Sequence, residues 1–278
     1  MKRITLLKIS TLILASAAGS VASANNAITE VQTSTMQAPG AKLVTVMAGV
    51  EYSQEVSEEE KGVRGASIDS VLSLGYRTSD LTTVSVKGIV SKDQNGPQDT
   101  TVSNTQLVLG IKGKKLTDQV TTVHSVIGLI PTNEVARKRD RFKGGFALSN
   151  GVNYVTPLLT ASYRLVLTKN IHEFNMNAES KANIEYTMAN TFAVDVPVYG
   201  PVHVSADIMY RNGLTYGGSE RSYFAFNADV IYDIDNNFSV NLGTSNGGNA
   251  LKSNGVDSNV AVYDDKSSVF RAGVSYIF

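Results

Sequence analysis

The chain of 278 residues contains no cysteine and no tryptophan, and it has only three histidines. The absence of cysteine excludes disulfides, thiolate chemistry and a lipid anchor on a processed N-terminal cysteine. Neither HExxH nor CxxC spacing occurs, so we expect no metal site and no cofactor. After residue 24 no apolar run approaches the roughly 20 residues that a membrane-spanning helix needs. The fold must therefore be stabilised by interactions other than disulfides.

The first 24 residues have the pattern of a secretory signal peptide. Lys2 and Arg3 form a basic start, an apolar stretch follows, and Ala22-Ser23-Ala24 is a small-x-small cleavage site. We expect a cleaved signal peptide over residues 1–24 and a polar periplasmic linker over 25–40. Removal of the basic signal leaves a weakly acidic chain, which gives no reason to expect a nucleic acid as partner.

From residue 41 onwards apolar residues recur at every second position. In VHVSADIMYR (202–211) the residues at even positions are apolar, and most of those between them are polar. A period of two predicts β-strands with one apolar and one polar face, whereas a helix would repeat at i, i+3 and i+4. Near 119–130 both faces are apolar, so the register there is ambiguous. Aromatic residues collect near the predicted strand ends, as in the interfacial girdles of membrane barrels: Tyr52, Tyr76, Tyr210, Tyr232, Phe238 and Phe278.

Turn residues divide the chain into an alternating series of short and long connections. Six long polar connections and five tight turns predict twelve strands with both termini on one side. Weak alternation over 171–199 leaves ten strands as an alternative. We therefore predict an all-β fold, a transmembrane antiparallel up-and-down β-barrel of twelve strands over residues 41–278. The tight turns are expected at 77–80, 114–119, 167–170, 199–201 and 233–237, and the long connections at 54–65, 92–100, 131–151, about 179–183, 212–220 and 246–266.

A secreted soluble β-sandwich is the alternative fold, because its strands also alternate between apolar and polar residues. Such a sandwich makes no demand for aromatic residues at both strand ends. It also gives no reason for short and long connections to alternate. These two features favour the barrel.

The last ten residues, VFRAGVSYIF, resemble the terminal strand of bacterial outer-membrane β-barrel proteins, and porin-like barrels are the nearest general match. The resemblance implies integration in the outer membrane, in contact with its lipids and lipopolysaccharide. It also implies that the outer-membrane assembly machinery recognises the last strand, which closes the barrel against the first. The residues that would carry these roles are Phe270, Val274, Tyr276 and Phe278.

Charged residues of both signs are expected to face the barrel interior. They could line a water-filled channel for ions or small hydrophilic solutes. Alternatively, they could pair across the interior and fill it, which would give a non-conducting structural or lipid-organising barrel. Small outward residues such as Ala48, Ser70 and Ala272 would allow a homo-oligomer in either case. The interior candidates are Glu51, Asp69, Arg77, Lys87, Lys112, Arg164, His203, Asp207, Arg211, Asp229 and Arg271.

The connection predicted over 131–151 carries a basic cluster. It could fold inward and narrow the pore, or lie outside and bind lipid phosphates or a neighbouring subunit. A plain solvated loop is the third interpretation. The cluster comprises Arg137, Lys138, Arg139, Arg141 and Lys143.

An enzyme is the least favoured function. A phospholipase in such a barrel would need a Ser–His pair on the lipid face, but the adjacent His124 and Ser125 point to opposite faces of a strand. Ser205 shares a face with His203, and that face is the predicted interior. The carboxylates of EVSEEEKG (55–62) could serve a protease, although a charged run of this kind is more often a solvated loop.

Overall fold

The computed structural model describes residues 43–56, 65–94, 99–251, 257–265 and 267–278. The predicted signal peptide, the linker and residues 57–62 of the acidic stretch lie outside these ranges. Within them no helix has the length and apolar character needed to cross a membrane. The described elements are β1 (Val44–Glu55), β2 (Ala66–Arg77), β3 (Thr82–Asp93), β4 (Thr100–Val102), β5 (Thr105–Lys115), β6 (Val120–Ile130), α1 (Glu134–Lys138), β7 (Phe142–Val155), β8 (Thr160–His172), β9 (Ile184–Tyr199), β10 (Val202–Thr215), β11 (Glu220–Asp233), β12 (Phe238–Asn249) and β13 (Val269–Ile277).

The strands form one antiparallel sheet that closes on itself. Each long strand pairs with its neighbours in sequence, and β13 pairs with β1 to complete the ring. The three-residue β4 pairs only with β3, beside β5. Twelve strands therefore make the barrel wall, as predicted, and the continuous β9 excludes the ten-strand alternative.

Connections alternate in length around the barrel, which gives it two distinct ends. Turns at 78–81, 116–119, 156–159, 200–201 and 234–237 lie at one end, here named the short-turn end, together with the start of β1 and the end of β13. At the opposite end, named the long-connection end, lie the strand ends that are joined by 56–65, 94–104, 131–141, 173–183, 216–219 and 250–268.

The turn predicted at 167–170 is wrong, because these residues lie inside β8. Thr168 and Asn170 are buried polar residues on the inner face of that strand. The actual turn is at 156–159, where the Thr156 N–H donates to Leu159 O over 2.9 Å. The polar Thr168 and Asn170, which favour a turn in the sequence, are therefore part of the interior wall.

Several long connections are shorter than predicted, because the strands extend into polar sequence. The connection expected over 131–151 ends at Arg141, since Phe142–Val155 form β7. The one expected over 212–220 is reduced to 216–219, and the one expected over 246–266 begins after Asn249. Two connections are longer than predicted: the one near 179–183 starts at residue 173, and the one expected over 92–100 runs from 94 to 104.

The outside of the barrel is a band of exposed apolar side chains. On β7, Phe146 and Tyr154 both point outward, with 51% and 40% of their surface exposed. They are eight residues apart, about 26 Å along the strand, which suits a tilted strand crossing an apolar band of about 25 Å. The structure also resolves the ambiguous register of β6, since Val126 faces outward and Ile127 inward. The fold is therefore a transmembrane β-barrel.

The aromatic residues predicted to form girdles lie at two levels of the barrel. Four of them are at the short-turn end, namely Tyr76, Tyr232, Phe238 and Phe278, and Tyr52 and Tyr210 lie towards the other end.

The C-terminal residue is held within the sheet. The Phe278 N–H donates to Val46 O over 2.8 Å, and the Ile277 N–H donates to Asn237 O over 2.9 Å. The rings of Tyr276 and Phe278 meet edge to face, with centroids 4.4 Å apart. The end of the chain is therefore part of the closing seam.

Because the chain contains no cysteine, the closing seam can be tested by cross-linking. We expect Val50→Cys with Val274→Cys to form a disulfide under oxidation, because the two positions are directly opposed on β1 and β13. The measurement is gel migration with and without reductant after heat unfolding. As a control, Val50→Cys with Phe270→Cys is offset by four residues and should not cross-link. Equal cross-linking of both pairs would contradict the register.

Candidate functional site

Strand alternation places all eleven predicted interior residues at inward positions, between outward apolar residues. Eight are buried: Glu51, Asp69, Arg164, His203, Asp207, Arg211, Asp229 and Arg271. Arg77 and Lys87 are partly exposed, and Lys112 is exposed. That these residues line a passage for solutes stays a prediction.

A buried ionic cluster lies inside the seam formed by β11, β12, β13 and β1. Arg271 Nη2 donates to Asp229 Oδ2 over 2.6 Å, and its Nη1 is 3.6 Å from Glu51 Oε2. Asn241 Nδ2 donates to the second oxygen of Asp229 over 3.2 Å. Charges removed from water need such partners, because an isolated buried charge is very costly.

Two glycines make room for this cluster. Gly243 lies between Asp229 and Arg271 in the strand register, and a Cβ on Gly243 would be 2.1 Å from Asp229 Oδ1. A Cβ on Gly273 would be 2.5 Å from Asn241 Oδ1. The absence of side chains on β12 and β13 at these points thus lets charged groups from neighbouring strands meet.

Further polar pairs continue along β9, β10 and β11. His203 Nδ1 is 2.5 Å from Asp195 Oδ2, and its Nε2 is 3.6 Å from Asp233 Oδ2. Asn227 Nδ2 donates to Asp207 Oδ1 over 3.0 Å. Sequence reasoning missed Asp195, which lies in the stretch considered weak. Its position between Val194 and Val196 carried the alternation that could have identified it.

The interior wall is asymmetric in its exposure. All seven inward residues of β10, at odd positions from 203 to 215, are buried. On β3 and β5, which are described over their full length, no inward residue is buried. The solvent-accessible part of the wall therefore runs along β3 and β5. It carries Lys87, Lys112 and, near the long-connection end, Asp93, with Arg77 on the adjacent β2.

The connection 131–141 lies against the inner wall at the long-connection end. Ala136 of α1 is 1% exposed and packs in a cluster with inward apolar residues of β6, β7 and β8. Asn133 caps the helix by accepting a hydrogen bond from Ala136 N, and its Nδ2 donates to Val102 O over 2.7 Å. On the other side Asn183 Nδ2 donates to Asp140 O over 2.9 Å. Hydrogen bonds to Val102 and from Asn183 therefore hold the connection on both sides. The residues that receive Ala136 are Ile127, Leu129, Phe142, Ala147 and Val166.

The basic cluster is divided between this connection and β7, because Lys143 belongs to the strand. Lys138 pairs with Glu134, Arg139 Nε with Asp140 over 2.9 Å, and Lys143 with Glu173 over 2.9 Å. Arg137 and Arg141 are exposed.

Hydrogen bonds from these lysines change the acidity of their partners. The bond from Lys138 holds the pKa of Glu134 below its usual value, and the bond from Lys143 does the same for Glu173. Three of the five cations therefore already have local carboxylate partners. This lowers the charge that the cluster could offer to an external phosphate.

The described residues contain no group of three or more His, Asp or Glu side chains that could hold a metal ion. His124 is on the outward face of β6 and Ser125 on the inward face, so the two cannot share a proton. Ser205 faces inward, next to the His203 that binds Asp195. Neither serine therefore forms a Ser–His pair on the outward face of the barrel.

No family model and no curated protein matches the sequence. Solved structures share the fold. An outer membrane channel from Pseudomonas putida F1 is 11% identical with a TM-score of 0.60, and the match covers 90% of this chain and 100% of that one. The NanC porin is 12% identical with a TM-score of 0.52, covering 84% and 98%. The KdgM porin is 12% identical with a TM-score of 0.51, covering 83% and 99%. The fold is thus one that outer membrane channels and porins use.

We expect Arg271→Met to destabilise the barrel by about 3–5 kcal/mol, because it leaves Asp229 and Glu51 buried without their cation. The measurement is the urea dependence of heat-modifiable gel migration in detergent. Adding Asp229→Asn should recover part of the loss, since it removes one uncompensated charge. Arg77→Met, at a partly exposed position, should change stability by less than about 1 kcal/mol. Equal effects of Arg271→Met and Arg77→Met would show that the cluster does not stabilise the fold.

Proposed function

We propose that the protein is an integral protein of the bacterial outer membrane and forms a polar channel for passive diffusion of small hydrophilic solutes. The apolar outer band supports integration in a membrane, and the shared fold supports a channel. The short-turn end then faces the periplasm, as in other barrels of this type. Contacts with lipopolysaccharide, recognition by the assembly machinery and a homo-oligomer stay predictions.

The observation that carries the channel is the solvent-accessible wall along β3 and β5. A barrel whose interior is completely filled would bury the inward residues of every strand, whereas those of β3 and β5 remain accessible. Water and solutes therefore pass along this side of the interior, while the buried clusters occupy the side of β10 to β13.

We further propose that the channel prefers anions. The charged inward side chains on the accessible wall include Arg77, Lys87 and Lys112, and the acidic Asp93 lies near the long-connection end of β3. The acidic groups opposite are buried and bound to partners, with Asp233 beside His203 the partly exposed exception. A solute therefore meets mostly positive charge, and charged rows of this kind select ions by sign. The KdgM porin has also been solved with oligogalacturonate, an acidic oligosaccharide, and small acidic sugars suit the same charge pattern here.

A non-conducting structural barrel is the second candidate. It is favoured by the packing of α1 on the inner wall and by the burial of the ionic cluster, since both reduce the free cross-section. Electrical recording separates the two functions directly.

In planar bilayers at about 0.1 M salt, where charges act over about 10 Å, we expect stepwise currents and a reversal potential that shows anion preference. Lys87→Glu should shift the reversal potential towards cations, because it inverts a charge on the accessible wall. Lys92→Glu is the matched control. Lys92 lies on the same strand but at an outward position, so the reversal potential of the Lys92→Glu variant should equal that of the unmodified protein.

Two results would contradict these proposals separately. Insertion without stepwise currents would exclude the channel and favour the structural barrel. Stepwise currents with cation preference would leave the channel intact and exclude the proposed anion preference.

If α1 restricts the passage, its detachment should widen it. Ala136→Lys places a charge in an apolar contact that is 1% exposed, so we expect the helix to leave the wall and the single-channel conductance to rise. Val135→Lys adds the same charge to the same helix at a partly exposed position and should change the conductance much less. Equal conductances of the two variants would show that α1 does not limit the flow.

A further inference from the structure

The outward face of the barrel carries a polar cluster within its apolar band. On β7, Asn150 is four residues from Phe146 and four from Tyr154, which places it at the middle of the band. His124 lies directly beside it on β6. Both side chains are exposed, and outward apolar residues surround them: Ile111, Val126, Leu148 and Val152. Ionisable residues at such depth are costly, so they indicate a function.

The cluster has the geometry of a nucleophile, a base and an orienting group. His124 Nδ1 is 2.8 Å from Asn150 Oδ1, and Nε2 is 3.1 Å from Thr122 Oγ1. An amide oxygen can only accept, so Nδ1 carries the ring proton and Nε2 is free to accept the hydroxyl proton of Thr122. Nucleophilic catalysis commonly uses this arrangement, in which a hydroxyl is hydrogen-bonded to an imidazole and a third residue orients the imidazole.

The backbone of β5 supports the hydroxyl. The Lys114 N–H donates to Thr122 Oγ1 over 2.9 Å, at an irregularity in the pairing of β5 with β6 between Lys112 and Lys115. This hydrogen bond holds Oγ1 in place beside His124 Nε2. The close approach depends on Gly113, because a Cβ there would be 1.7 Å from Thr122 O. Irregularities of this kind are frequent beside active sites.

The depth of Thr122 fits one kind of substrate. Thr122 pairs with Val152, two residues before the outward Tyr154 of the short-turn end. The hydroxyl is therefore about 7 Å along the strand from the aromatic level, which coincides with the headgroup region. The ester bonds of membrane lipids join the headgroup to the acyl chains, so they lie at this boundary.

We propose that Thr122, His124 and Asn150 form a lipid-facing site that hydrolyses ester-linked acyl lipids of the membrane. Thr122 Oγ attacks the ester carbonyl while its proton moves to His124 Nε2. The C–O bond of the ester breaks, and the alcohol leaves with that proton. Water then attacks the acyl-threonine and gives its proton to Nε2, and the acid is released as Oγ regains the proton. The balance is one ester and one water converted to one acid and one alcohol.

Thr122 and His124 are the catalytic residues, and Asn150 is a positioning residue that fixes the tautomer of His124. The site is on the opposite face of the sheet from the interior, so it does not depend on conduction. Ser125 is adjacent to His124 but lies on the opposite face of β6, whereas Thr122, two positions earlier than His124, lies on the same face.

The test is fatty-acid release from phosphatidylethanolamine in mixed detergent micelles by the purified, refolded full chain. We expect release by the unmodified protein and a loss on the order of 10²–10⁴-fold in Thr122→Val and His124→Leu. Thr122→Ser keeps the hydroxyl and should retain activity. A fluorophosphonate probe should label the unmodified protein at Thr122, mapped by mass spectrometry, and should not label His124→Leu.

Controls separate catalysis from folding. Tyr163→Phe removes a neighbouring outward hydrogen bond, from Tyr163 Oη to Asn190 Oδ1 over 2.7 Å, and should leave the release unchanged. All variants should show heat-modifiable migration. Asn150→Leu should lower kcat with little change in KM, and Asn150→Asp, which keeps the acceptor, should restore part of it. Absence of release by the unmodified protein, or equal release by Thr122→Val, would overturn the proposal.

Discussion

The pairing of β13 with β1 is the contact on which the rest of the structure depends, because a backbone in lipid has no water to satisfy its polar groups. An open sheet would leave one row of N–H and C=O groups on each edge strand in hydrocarbon. Closure removes both edges, and it holds Phe278 through Val46 at the end of the seam. In a soluble protein the same terminal residue would gain little from being fixed. Here it completes the last part of the ring.

Closure also determines what the interior must contain. Once the outward positions are apolar, alternation sends the polar and charged residues inward, where they meet across strands that are not adjacent in sequence. Arg271 reaches Asp229 over the glycine at position 243, and Glu51 approaches from the other side of the seam. Such a cluster occupies one side of the barrel, so the accessible space lies on the other, along β3 and β5. The asymmetry of the interior is thus a consequence of pairing charges that could not remain alone.

Local pattern was sufficient for the fold class, the strand number and the facing of the interior residues, because a period of two depends only on neighbours in the chain. The local pattern was insufficient where polar residues could belong either to a turn or to the inward face of a strand. The polar Thr168 and Asn170 belong to an inner wall and not to a turn, and the Gly144-Gly145 pair belongs to β7 and not to a loop. The sequence also could not predict which side chains bind each other. Asp195 and His203, for example, meet because of the strand register and not because of their spacing in the sequence. The same holds for Asn150, which a strand hairpin brings to His124.

The two faces of the wall obey opposite rules, and this makes the exceptions on each face informative. A charge on the inner face is ordinary, so its presence alone says little about function, and its exposure decides whether a solute can meet it. A polar group in the outer band is unusual, and its presence needs a physical reason. At His124 both ring nitrogens have partners on the protein surface, which reduces the cost of its place in the lipid band. These two hydrogen bonds explain how the cluster is tolerated in the lipid band. An apolar pair at these positions would be tolerated at lower cost, so tolerance alone does not account for three polar side chains that meet at hydrogen-bond distance, with Thr122 at the depth of a lipid ester.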